Sequence, residues 1–252
     1  MEWQLTLQLQ LLSPMPFSGK HIFFDLDRTL WDFDKNSEIA LRHIFEEEQL
    51  QNHLPSFAVF HDFYIAENAR LWKLYGQGLM TKDVLRYERF RAALHSFFPA
   101  EEFLIKRIGD AYVEISPRQT ALFPNAIETL KNLKSLGFTL HIITNGFQEV
   151  QFVKLENSGL KEYFDVIVCS EFIGKNKPDP AIFHHAFELA KCKPKDSLMV
   201  GDDYYADITG ALNAGIQAIL FDPELKNTYN YEWVISDLNE VSEMAIKLFL
   251  FK

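Results

Sequence analysis

Residues 21–30 read HIFFDLDRTL, and this stretch decides how the rest of the chain is read. His21–Phe24 is a short apolar run, too brief for a helix and rich in residues that suit a buried strand. It ends abruptly in Asp25-Leu26-Asp27-Arg28-Thr29. Two carboxylates one residue apart would share a face in an extended segment. At a strand end that is beginning to turn, they can reach a common centre by different routes.

Outward from this stretch the same grammar repeats. Residues 139–143, 165–169, 197–200 and 217–221 are further short apolar runs rich in Ile, Val, Phe and Leu, each read as a buried strand. Helical spacing lies between them. Residues 125–136 put Ile127, Leu130 and Leu133 on one face, and Gly137 follows as a stop signal. Strand–helix–strand alternation of this kind predicts an α/β fold, a Rossmann-like parallel sheet with helices on both faces.

One interval breaks the rhythm. The chain between residues 24 and 139 is far longer than a crossover needs, and most of it has helical periodicity. Leu41, Ile44 and Phe45 form one stripe; Phe60, Phe63, Tyr64, Leu71 and Leu74 a second; Val84, Tyr87, Leu94 and Phe97 a third; Phe103, Ile108, Tyr112 and Ile115 a fourth. Gly76, Gly78 and Pro99 punctuate them, and Thr81 is placed to cap a helix. These residues are read as packing, which predicts a four-helix insertion at residues 34–119 within a core made of residues 20–33 and 120–252. Residues 1–19 form an N-terminal extension in which Trp3, Leu5, Leu7, Leu9 and Leu11 alternate with polar residues. An extra strand and a start assigned too early, with Met15 as the initiator, both fit, the second slightly better. The segment lacks the basic leading region of a signal peptide.

Composition bounds the function. Of 252 residues, 48% are hydrophobic and 24% charged, ordinary values for a globular chain with a sizeable core. With 25 Lys+Arg against 35 Asp+Glu the net charge is −10, the wrong sign for gripping a nucleic-acid polymer by its phosphates. Cys169 and Cys192 are the only cysteines, too few for a disulfide framework, so a reducing, cytoplasmic location is expected. No apolar run approaches the ~20 residues of a membrane span.

In an open parallel sheet, ligands bind beyond the carboxyl ends of the strands, so the residues just past each strand carry the chemistry. They are Asp25 and Asp27; Thr144, Asn145 and Gly146; Lys175 and the run Lys177-Pro178-Asp179-Pro180; and Asp202, Asp203 and Asp207. Asp25, Asp27 and Asp202 make an all-oxygen set suited to a hard cation such as Mg²⁺, and without a cation their mutual repulsion would be severe. Thr144 and Asn145 offer a hydroxyl, an amide and backbone N–H groups beside a helix start, which is anion-cradling chemistry. Lys177 supplies a positive charge fixed by the stiff Pro178 and Pro180 that follow it. Together these fit phosphoryl transfer to a carboxylate: Asp25 attacks phosphorus, Asp27 protonates the leaving alkoxide and later activates water. Each motif alone is weak, since Asp-x-Asp-x-Thr arises by chance in roughly a few per cent of chains this long. Four in order, each just past a predicted strand, are not.

On DLDRTL at 25–30, TNG at 144–146, KPDP at 177–180 and GDDYYADITGALNAG at 201–215, the chain resembles the haloacid dehalogenase superfamily of phosphohydrolases. The resemblance covers residues 20–238. It implies Asp25 as nucleophile, Asp27 as acid/base, and Thr144 and Lys177 as phosphate-contacting groups. It implies Mg²⁺ held by Asp25, the Asp27 backbone carbonyl and Asp202, with Asp207 and Asp203 as supporting acids. The helical insertion resembles the family's helical cap, which closes over the site and selects the substrate. Residues 25–41 and 71–90 are further similar to the pyrimidine 5′-nucleotidase subfamily, whose members dephosphorylate nucleoside monophosphates. Sugar-phosphate phosphatases and phosphomutases share the four motifs. A dehalogenase has no use for an acid at Asp27, and a catalytically dead binding protein would be expected to lack Asp25. Trp72, Tyr75, Arg86, Arg89 and Phe90 are the insertion's candidates for substrate contact, although packing or solvated surface is the commoner role for such residues.

Overall fold

The computed structural model describes residues 16–226 and 228–250, so the alternating segment at residues 3–11 lies outside the described residues. The described residues divide into two compact units, one made of residues 16–33, 121–226 and 228–250, the other of residues 34–120.

The helical unit is built on α1 (Phe33–Glu47), α2 (Phe57–Gly76), α3 (Lys82–His95) and α4 (Glu102–Ile115). Ser56 and Thr81 cap α2 and α3, their hydroxyls accepting from the N–H of Val59 and Val84. Leu41, Ile44, Phe45, Phe60, Tyr64, Phe90, Leu94, Ile105, Ile108 and Tyr112 form one buried cluster. The aromatic stripes are therefore packing, with three corrections. Phe63, Val84 and Phe103 are exposed by 40%, 48% and 69%. In α3 the buried phase runs through Leu85, Arg89, Phe90, Ala93 and Leu94, one residue out of step with Val84. Two of the insertion's substrate-contact candidates have the packing role. Phe90 is fully buried, and the Arg89 guanidinium stacks on the rings of Phe90 and Tyr112 at 5.1 and 4.6 Å.

The other unit is a parallel sheet of β1 (His21–Phe24), β2 (Thr139–Thr144), β3 (Val166–Cys169), β4 (Ser197–Gly201), β5 (Gln217–Phe221) and β6 (Val234–Ile235) in the order β3-β2-β1-β4-β5-β6. The helices α5 (Ala126–Ser135), α6 (Gln148–Asn157), α7 (Pro180–Ala190), α8 (Gly210–Asn213) and α9 (Val241–Leu250) connect and flank its strands. The apolar runs are continuous because both faces are covered. Ile22, Phe24, Leu140, Ile142, Leu198, Val200, Ile219 and Phe221 belong to one core cluster, Phe23, Ile143, Val168, Met199, Ala218 and Leu220 to the other. Complete burial of one such side chain is worth roughly 1.5–3 kcal/mol. The packing reaches back to Phe17, stacked on Phe138 at 4.6 Å.

Strand ends differ from the sequence reading by single residues. Thr144 and Gly201 are the last residues of β2 and β4, and β3 starts at Val166. The two-residue β6 is too short to leave a periodic signal. β1 pairs with both β2 and β4, Phe24 lying opposite Ile142 and Val200. Successive connections leave β1 in opposite directions, so the carboxyl end of β1 is the topological switch point, where such sheets open a crevice.

Candidate active site

The first residue that β1 hands to this crevice is held by the neighbouring strand β4. The N–H of Asp25 donates to the Val200 carbonyl at 2.9 Å, which continues the β1–β4 ladder by one step. The chain then turns tightly. The N–H groups of Leu30 and Trp31 both donate to the Leu26 carbonyl, and Arg28 adopts a φ of 64°, a conformation costly for a residue with a Cβ and typical of functional loops.

Lys177 is the hub. Its side chain is 2% exposed, and its ammonium donates to Asp25 Oδ1 at 2.5 Å, Asp207 Oδ1 at 2.6 Å and the Ile143 carbonyl at 2.8 Å. Three donors meet three acceptors, which satisfies an ammonium completely. Its backbone is clamped by Asn145, whose Oδ1 accepts from the Lys177 N–H at 2.8 Å and whose Nδ2 donates to the Lys177 carbonyl at 3.1 Å. The Asn145 amide is thus committed to Lys177, and the peptide that follows, Lys177–Pro178, is cis.

Asp25, Asp202 and Asp207 each offer a carboxylate oxygen, all within 4.8 Å of one another. Asp207 is 1% exposed, and its Oδ2 accepts from the Asp203 N–H at 3.0 Å. Asp202 Oδ1 accepts from the Thr29 hydroxyl at 3.0 Å. Gly201 makes room: a Cβ there would stand 2.3 Å from Asp207 Oδ2. Lys177 faces two of the three acids, Arg28 and the Thr29 hydroxyl oppose the rise at the third, and the remaining imbalance appears in their titration. Burial pushes Asp25 up to about 7, with Lys177 opposing and Asp207 adding to it. Burial, then Asp25 and Asp207, push Asp202 well above the ordinary carboxylate range. Burial raises Asp207 too, against Lys177. For Lys177, burial acts to lower the pKa, but Asp207 and Asp25 outweigh it and the net shift is upward. A net-negative, oxygen-only cluster fits a hard divalent cation, which would restore the acids to their charged form.

The remaining predicted residues are near but differently engaged. The Asp27 side chain is not in the acidic cluster. Its Oδ1 accepts from Lys154 Nζ at 2.5 Å and its Oδ2 from Gln151 Nε2 at 2.8 Å, so the main-chain carbonyl is the atom by which the resemblance ties it to a metal. Asp203 caps the turn Tyr204–Thr209, its Oδ1 accepting from the N–H of Tyr205 and Ala206 at 2.8 Å each. Thr144 is 1% exposed, and its Oγ1 accepts from the Gly146 N–H at 3.1 Å and from Gln151 Nε2 at 2.7 Å, which leaves its proton to donate. Sequence reasoning missed Gln151 and Lys154, and it placed Thr29 in the Asp-x-Asp-x-Thr motif without a partner. The one available signal was the i, i+3 spacing of Gln151 and Lys154 on the helix following Thr-Asn-Gly, which puts both on one face.

A family model described as haloacid dehalogenase-like hydrolase matches residues 22–221. The chain is 32% identical over 232 residues to the pyrimidine 5′-nucleotidase YjjG of Escherichia coli, covering 90% of this chain and 97% of that protein. It is 31% identical over 235 residues to the glyceraldehyde 3-phosphate phosphatase of Methanothermobacter thermautotrophicus, covering 89% and 99%. Among solved structures it matches the putative HAD-hydrolase YfnB of Bacillus subtilis, crystallised bound to magnesium, with a TM-score of 0.79 at 30% identity, covering 90% of this chain and 98% of that one.

Proposed function

The chain belongs to the haloacid dehalogenase-like hydrolase family, and from that premise we propose that it is a Mg²⁺-dependent phosphoric monoester hydrolase acting on pyrimidine nucleoside 5′-monophosphates. The observation that carries the reaction class is Lys177, buried and shared between Asp25 and Asp207 at 2.5 and 2.6 Å beside a cluster short of positive charge. Such a site attracts a divalent cation and, through it, a phosphate.

Asp25, Asp202 and the main-chain carbonyl of Asp27 would hold the ion, with Asp207 behind them. Mg²⁺ bound there supplies charge neutralisation for the transferring phosphoryl group. Asp25 attacks phosphorus, the bond from phosphorus to the ester oxygen breaks, and Asp27 gives that oxygen its proton. Asp27 then takes a proton from water as the water attacks the aspartyl-phosphate, releasing inorganic phosphate and regenerating Asp25. Lys177 balances charge at Asp25 throughout. The Thr144 hydroxyl, whose oxygen accepts from the Gly146 N–H and Gln151 Nε2, donates its proton to a phosphate oxygen. A departing halide needs no proton, so the presence of an acid at Asp27 favours ester hydrolysis over dehalogenation. Residues 34–120 are assigned the choice of substrate.

The nucleotide reading rests on the relative named for pyrimidine 5′-nucleotidase activity and on residues 25–41 and 71–90. A small phosphosugar is the second reading, on the 31% identical relative named for glyceraldehyde 3-phosphate. Phosphate release is measured from uridine and thymidine 5′-monophosphates and from glyceraldehyde 3-phosphate, with and without EDTA. Faster turnover of the nucleotides, abolished by EDTA, is expected. Turnover confined to glyceraldehyde 3-phosphate replaces the first reading with the second, and activity that survives complete metal removal overturns the mechanism.

A further inference from the structure

We propose that Lys154 and Gln151 are positioning residues that hold the Asp27 carboxylate in its working orientation; this rests on the phosphohydrolase reading above. Lysine is among the residues least often buried, yet Lys154 is 4% exposed. Its ammonium lies 2.5 Å from Asp27 Oδ1, 4.3 Å from the centroid of the Trp31 ring and 5.6 Å from that of Phe33. Both rings follow the Asp25–Thr29 loop directly in the chain, so the segment that carries Asp27 also supplies the aromatic faces that fix its cationic partner.

Gln151, one turn earlier on α6, has no exposed surface. Its Nε2 reaches Asp27 Oδ2 at 2.8 Å and Thr144 Oγ1 at 2.7 Å, which locks the acid/base to the hydroxyl assigned to the phosphate. Gly146 admits this side chain, because a Cβ at Gly146 would stand 2.4 Å from the Gln151 amide. Each carboxylate oxygen of Asp27 is held by one donor and keeps a second lone pair for proton exchange. Orientation of this kind is what acid–base catalysis requires, and small misplacements are costly.

A positioning role has a signature that a purely structural ion pair lacks. Expulsion of an alkoxide needs the proton from Asp27, whereas 4-nitrophenolate leaves without one. The test is single-turnover release of the leaving group, enzyme in excess, from 4-nitrophenyl phosphate and from the better alkyl ester of the panel above. In Lys154→Met, alcohol release is expected to fall at least ~30-fold, part of the ~10²–10⁴-fold that general acid catalysis supplies, while 4-nitrophenol release falls less than ~3-fold. Gln151→Leu should shift the same ratio in the same direction, and Lys154→Arg should restore most of it. The ratio is taken within one preparation, so a reduced folded fraction cancels. Equal proportional losses for the two esters, or no loss, would overturn the inference. Wild-type enzyme that releases neither product would instead sink the hydrolase reading beneath it.

Discussion

Replacing Lys177 with methionine keeps the stem of the side chain and removes its charge. In the metal-free protein this leaves the carboxylates of Asp25 and Asp207 buried with no cation against them, a loss worth ~3–5 kcal/mol. At ~2–4 °C per kcal/mol for a chain of this size, the melting temperature should drop by roughly 6–20 °C. The deficit must also depend on pH, because the stranded acids can take up protons. Asp25 already sits at about 7 in the folded protein against an ordinary 3.8. An acid whose pKa is raised by folding binds more protons folded than unfolded, so its contribution to stability is highest below the unfolded pKa and falls as pH rises through the folded one. Without Lys177, Asp25 and Asp207 move further up, so the variant should lose most at pH 8 and regain part of the loss at pH 5. Urea unfolding of both proteins in EDTA at the two pH values measures this directly. Equal losses at pH 5 and pH 8, or a loss below ~1 kcal/mol at pH 8, would refute the assignment of Lys177 as the counter-charge of a buried acidic cluster.

Other consequences are independent of that one. His141 is 1% exposed, and burial, with His21 alongside, lowers it to about 3. Its neutral form therefore contributes stability above pH 6.5 that fades as pH falls towards 3. Between pH 6.5 and 5 the wild type should lose ~2 kcal/mol that His141→Phe does not, as compared by urea unfolding; parallel curves would contradict this. Gly201→Ala would drive a methyl into Asp207, and a loss of ~1–3 kcal/mol, together with slower phosphate release, is expected. Titration with Mg²⁺ should raise the wild-type melting temperature by the equivalent of ~2.7 kcal/mol at a hundredfold excess over Kd, and Asp202→Asn should abolish most of that rise.

The sheet was legible because buried parallel strands leave uninterrupted apolar runs, and the motifs were legible because three of them directly follow such a run and the fourth, at Lys177, lies in the loop after β3. What the sequence did not disclose was pairing across the fold. Asn145 reads as an anion-binding amide, yet its side chain clamps the Lys177 backbone. Asp203 reads as an acid beside a metal, yet it caps a helical turn. Lys154 and Gln151 read as ordinary residues of a helix face, since their partner Asp27 lies more than a hundred positions away. Val84 joined the wrong stripe because α3 carries apolar residues in two adjacent phases, and only packing selects the one through Leu85 and Phe90. Local pattern specifies elements and their ends. Long-range hydrogen bonds specify which polar side chain serves which.

The central claim is that phosphoryl passes through Asp25, and acid-quenched peptide mapping tests it most directly. Asp27→Asn enzyme, which can still expel 4-nitrophenolate without a proton but lacks the base for the hydrolytic half of the cycle, is mixed with 4-nitrophenyl phosphate and Mg²⁺, quenched and digested. One phosphoryl group per chain on the peptide that contains Asp25, absent from an Asp25→Asn control, is the predicted result. Wild-type turnover without any phosphoprotein in the slowed variant, or a phosphoryl group on another residue, would contradict the account.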